Sequence, residues 1–132
     1  MNTGNSTAKE GLPARLQRVG NELLELDQAI RSGDIDVRLL EGFRQAIDHV
    51  RETTWAVQQW IELRAQEKDA YGVLPRLTVE RIRRATQLNN DLALDLDATE
   101  VTMETEGIEN LRQSVRELYK RLTSVRLCIA FD

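Results

Sequence analysis

Apolar residues recur at helical spacing through most of this chain. From Leu12 they run Leu12, Leu16, Val19, Leu23, Leu26 and Ile30, alternating steps of four and three that keep the side chains on one helical face. Pro13 suits the first turn, so a helix is predicted over about 13–32. Ser32-Gly33-Asp34 then stops it. Gly33 can take the left-handed C-terminal position, and Asp34 or Asp36 can accept backbone N–H bonds at the next start. So short a link favours an antiparallel helical hairpin.

The second stripe, Val37, Leu40, Phe43, Ile47, Val50, Thr54, Val57 and Ile61, lies in helical composition that persists to about residue 70, where Tyr71-Gly72 breaks it. Such a helix would reach roughly 50 Å at 1.5 Å per residue. Beyond Pro75 the set Ile82, Ala85, Leu88, Leu92, Leu96, Thr99 and Met103 continues, the phase jumps at Gly107, and Ile108, Leu111, Val115, Leu118, Leu122, Val125 and Ile129 complete a fourth stripe. The expected fold is all-α: an up-and-down antiparallel four-helix bundle with long second and third helices. Residues 1–11 lack a periodic face and are expected to be a flexible tail, leaving 12–132 as one domain. One segment also fits another period. Leu92, Leu94, Leu96 and Ala98 alternate with polar residues as a half-buried strand would, although the stripe entering at Ile82 and leaving at Met103 favours helix over 92–104.

Composition narrows the chemistry. The 132 residues are 41% apolar and 30% charged, with two prolines and seven glycines, which is the balance of one helical domain large enough to bury a core. No apolar run approaches the ~18 residues of a membrane span, and Met1 to Glu10 has no signal-peptide core, so a cytoplasmic protein is expected. A single cysteine, Cys128, cannot build an internal disulfide framework or a multi-cysteine zinc site. Its run, Leu127 to Phe131, suggests a small buried hydrophobe. A di-iron bundle would want two Glu-x-x-His units, yet the one histidine, His49, has Ala46 three residues before it. No cofactor is implied.

His49 follows the inner-stripe residue Ile47 by two and is expected to turn toward solvent, where a phosphoacceptor must be. The run His49-Val50-Arg51-Glu52-Thr53 is distantly similar to the phosphoacceptor helix of histidine kinases. It departs from that pattern at Val50, where an acid is expected, and in lacking the following proline. Asp95, Asp97, Thr99 and Glu106 occupy positions 1, 3, 5 and 12 of a calcium-loop pattern, but Glu100 stands where that loop needs glycine.

Charge is segregated beneath a net of −4. Residues 76–84 hold four arginines and one glutamate, 87–110 seven acids and no base, and 111–126 five bases and one acid. Antiparallel packing of the third and fourth helices would gather Asp95, Asp97, Glu100, Glu104 and Glu106 into an acidic tip that pairing within the chain neutralises poorly. Fraying, bound cations or a partner's basic surface would relieve it. The acidic total disfavours nucleic acid, despite the local Arg76, Arg81, Arg83 and Arg84.

Trp55 and Trp60 fall on opposite flanks of the second stripe, with Ala56 and Leu63 on the face between them, so a narrow bundle core would not cover both tryptophans. The leading expectation is a non-enzymatic interaction or scaffold module that self-associates, or binds another protein, through Trp55, Trp60 and Leu63. The alternatives are a sensory or small-ligand-binding bundle, with a cavity at the polar stripe members Thr54, Asn89 and Thr99, and a histidine phosphotransfer protein using His49.

Overall fold

A computed structural model of the chain describes residues 10–33, 35–67, 72 and 74–129, with the side chains of 108 and 109 excepted. Most of the expected N-terminal tail (1–9), the alternative cap Asp34, Tyr71 and the last three residues lie outside the described residues.

Four α-helices are present and no strand occurs among the described residues: α1 over Leu12–Arg31, α2 over Val37–Ala65, α3 over Arg76–Thr105 and, after a 3-10 turn at Ile108–Leu111, α4 over Arg112–Ile129. Each helix packs on its neighbour in the chain, and α4 closes the ring against α1. Cross-helix pairs show antiparallel order. Arg15 meets Glu52 and Glu22 meets His49 between α1 and α2, whereas Gly20 meets Tyr119 and Asp27 meets Arg112 between α1 and α4.

The boundaries follow local chemistry. Pro13 sits in the first turn of α1. The helix ends where the Gly33 amide donates to the Ile30 carbonyl at φ +77°, and Gly107 at φ +87° reverses the chain between α3 and α4; both are backbone states that a Cβ disfavours. Asp36 caps α2, its carboxylate accepting from the Leu39 amide at 2.9 Å. The second helix ends at Ala65 rather than near residue 70. Its last apolar stripe residue is Ile61, and the amides of Gln66 and Glu67 fold back onto the carbonyls of Leu63 and Arg64 in a tight closing turn.

One contiguous core runs along the axis, with Phe43, Leu16, Leu23, Leu92, Leu96, Leu111, Leu118 and Leu122 among its fully enclosed side chains. The stripes are rotated slightly from those expected. On α2 the inner face starts at Leu39, while Val37 is 72% exposed and Leu40 half-buried; Ala46 and Thr53 also join it. On α3 the buried set is Ala85, Asn89, Leu92, Leu96 and Thr99, with Leu88 only half-buried. Each helix in a ring of four contacts two neighbours, so its buried arc is wider than a single stripe and its centre is set by both.

Candidate interaction surfaces

The outer face of α2 is built by residues four apart. Trp55, Gln59 and Leu63 form one row facing away from the core, and Ala56 and Trp60 form the next, turned toward the α1 seam. Trp55 is 65% exposed and Leu63 60% exposed. Trp60 is half-buried against the core, with the Arg64 guanidinium 5.3 Å over its ring. It shares a shallow groove with Leu12 of α1, and an Arg15–Glu52 ion pair at 3.6 Å stands at the rim. The two tryptophans thus divide, one anchored at the α1 seam and one held out in solvent.

His49 does not stand free in solvent. It lies at the α1/α2 seam, its side chain 39% exposed, with Nδ1 2.9 Å from both oxygens of Glu22. A carboxylate can only accept, so this contact places the proton on Nδ1 and leaves Nε2 as the basic nitrogen.

The five acids expected at an unpaired tip divide: arginines of the flanking helices approach Asp95, Asp97 and Glu100 from the side, and Glu104 and Glu106 have no such partner among the described residues. Arg121 of α4 donates to Asp95 at 2.9 Å and lies 3.5 Å from Asp91. Arg51 of α2 pairs with Glu100 and lies 3.8 Å from Asp97. Antiparallel neighbours bring the basic half of α4 and a mid-helix arginine of α2 alongside the acids; the register within the α3/α4 pair and the contribution of α2 both lie beyond a count of charge along the chain. Glu104 and Glu106 make no ion pair among the described residues. The calcium-loop residues Asp95, Asp97 and Thr99 lie in continuous helix, where steps of two residues point side chains to different faces. No group of three or more metal-ligating residues gathers among the described residues.

Thr54 and Thr99 are buried and donate to backbone carbonyls of their own helices, at Arg51 and Asp95. Asn89 reaches across from α3, its amide donating to the Thr54 carbonyl at 3.1 Å, while its buried Oδ1 has no partner. Cys128 is half-buried with its thiol 3.9 Å from the Arg81 carbonyl; desolvation pushes its pKa up, against the smaller opposing pull of Arg84 and Arg81. Alkylation of the native protein by iodoacetamide at mildly alkaline pH should therefore be slower than that of glutathione, and should accelerate on unfolding in guanidinium. Equal rates for native and unfolded protein would contradict this environment.

One charged cluster escaped the sequence reading. Asp27 is 8% exposed on α1, and the Nε atoms of Arg31, Arg112 and Arg116 approach its carboxylate at 3.5, 3.5 and 3.8 Å. Its signals are the position of Asp27 beside Leu26 and one heptad after the buried Gly20, and the Arg112-Arg116-Lys120 row on α4. Pairing those two features needs the knowledge that α1 and α4 are neighbours. Comparison of the chain with protein-family models, with curated proteins and with solved structures finds no match in any of the three.

Proposed function

We propose that this chain is a non-enzymatic helical-bundle interaction module that self-associates through the outer face of α2. The observation that carries the reading is Trp55, left 65% exposed two turns from the 60% exposed Leu63. A tryptophan that could bury on the order of 200 Å² forfeits a large apolar gain when solvated. Leu24, Leu77 and Leu127 are exposed singly, which is ordinary on a surface, and Leu94, Ala98 and Val101 make an exposed aliphatic row on α3. The α2 face differs in carrying an aromatic anchor, Trp55, in one row with Leu63 and flanked by Ala56 and Trp60.

A second copy suits that row. An antiparallel two-fold axis through Gln59 would set Trp55 of one copy over Leu63 of the other, twice, with the Gln59 amides meeting at the axis. Rim groups of both signs, Arg15, Glu52 and Glu62, avoid the repulsion a single-sign face would meet on itself.

Sedimentation velocity across the micromolar range should show a concentration-dependent monomer–dimer equilibrium, with Trp55 fluorescence becoming protected from acrylamide as dimer forms. Trp55→Glu should leave the protein monomeric with its helicity intact, because surface changes of this kind usually move stability by about 0.5 kcal/mol or less. A strict monomer throughout the range would sink the proposal.

The ligand-cavity alternative draws less support, because the hydroxyls of Thr54 and Thr99 are already engaged by helix carbonyls. Phosphotransfer through His49 would use Nε2, with Glu22 orienting the ring. A phosphorylated receiver that leaves His49 unlabelled would end that reading.

A further inference from the structure

The α1/α4 seam carries a second feature, remote from the outer face of α2. Three arginines surround one buried carboxylate, so the cluster holds two positive charges in excess inside a protein of net charge −4. Their side chains are 43–45% exposed and turn Nε toward Asp27. The terminal N–H groups of all three are without hydrogen-bond partners among the described residues. Asp27 does not saturate them: its Oδ1 and the Arg112 Nε face each other at 3.5 Å, both buried and neither hydrogen-bonded.

Beside this cluster is an open cleft of about 360 Å³. Leu24, Val115 and Tyr119 form its apolar wall, with Tyr119 packed over Gly20, and Arg116 and Lys120 stand at its edge. Cationic donors beside an apolar slot suit an anion attached to something greasy. Guanidinium forks bind carboxylate or phosphate in a planar, paired geometry and form the stronger class of hydrogen bond.

We propose that this seam is a docking site for an acidic peptide segment of a partner protein, its carboxylates on Arg31, Arg112 and Arg116 and a flanking apolar side chain against Leu24 and Tyr119. Charge complementarity selects the occupant. A nucleic acid would extend its phosphates beyond the cluster toward a chain whose residues 87–110 hold seven acids and no base. A short acidic peptide carries its charge only where the arginines are.

The test is fluorescence anisotropy with a short labelled peptide of alternating leucine and glutamate, against the same peptide with glutamine in place of glutamate. The glutamate peptide should bind, weaken as salt rises, and exceed the glutamine peptide by about tenfold or more in affinity. Arg116→Gln, a half-exposed change, should cost about tenfold with the far-ultraviolet circular dichroism unchanged. Asp27→Asn should strengthen binding severalfold by removing the competing carboxylate, a gain that a purely structural role for the cluster would not produce. Should Asp27→Asn fail to fold, the Arg116→Gln result decides alone.

Equal binding of the two peptides, no binding at low salt, or wild-type affinity in a folded Arg116→Gln variant would each overturn the proposal. Displacement of the peptide by oligouridylate at lower concentration than by unlabelled glutamate peptide would do so in favour of nucleic acid. Loss of self-association in a Glu104→Gln, Glu106→Gln variant would assign the site to a second copy. The peptide-binding outcomes do not depend on Trp55, so the α2 interface can fail while this site stands.

Discussion

Phe43→Ala is expected to destabilise the bundle by about 3–5 kcal/mol, the largest effect of any single truncation in this protein. Phe43 is fully enclosed on α2, the bulkiest of the completely buried side chains, and the residues around it are fixed in four helices that cannot all move inward to fill the gap. The loss combines the apolar transfer energy of the ring with the cavity left behind. Against a total stability on the order of 5–15 kcal/mol, this is a large fraction. Thermal and guanidinium unfolding followed by circular dichroism should show the midpoint falling by on the order of 10–20 °C. A loss below about 1 kcal/mol would mean that the Phe43 pocket collapses freely or is open to water.

The second large effect comes as a contrast between neighbours. Leu96→Ala should cost about 2–5 kcal/mol, whereas Leu94→Ala should change stability by about 0.5 kcal/mol or less. Leu96 is 1% exposed beside Leu92 at 0%, while Leu94 is 67% exposed. In a strand, Leu92, Leu94 and Leu96 would share one face and the two substitutions would cost alike. In a helix Leu92 and Leu96 are one turn apart and Leu94 points away. Equal losses would contradict the helix over this part of α3.

That segment shows how far periodicity reaches. Over 92–98 both periods fit, because Leu92, Leu94, Leu96 and Ala98 are two apart and a helical stripe also needs Leu92 and Leu96. The longer window resolves it: Ala85, Asn89, Leu92, Leu96 and Thr99 carry the four-and-three rhythm through. The same rhythm made four helices and their connections legible, and the chemistry of Gly33, Asp36 and Gly107 marked the turns. The phase within each stripe was less legible. Val37 and Leu40 read as core residues from spacing alone, yet the burial falls on Leu39, because the arc of α2 that faces its two neighbours is rotated from the single stripe.

Sites divide in the same way. The exposed row of Trp55 and Leu63 is a property of one helix, so it could be read from angles around α2. The fate of the acids on α3 could not, since Arg51 and Arg121 approach from the two flanking helices at positions fixed only by the register between helices. His49 likewise faces outward by angle but meets Glu22 of α1, 27 residues away. Asp27 is the extreme case. Nothing in its local sequence names Arg112 and Arg116 as partners, which lie at the other end of the chain.

By itself, then, the sequence determined four helices, their approximate lengths, their turns and which arc of each is apolar. These follow from interactions within about one helical turn, where spacing along the chain equals position in space. Only the tertiary structure decided which charges meet, which of the two tryptophans is sheltered, and that an arginine cluster forms around a buried aspartate. Those depend on which helices are neighbours and in what register. Hydrophobic burial is non-directional and leaves the choice open until all four apolar arcs close on one core.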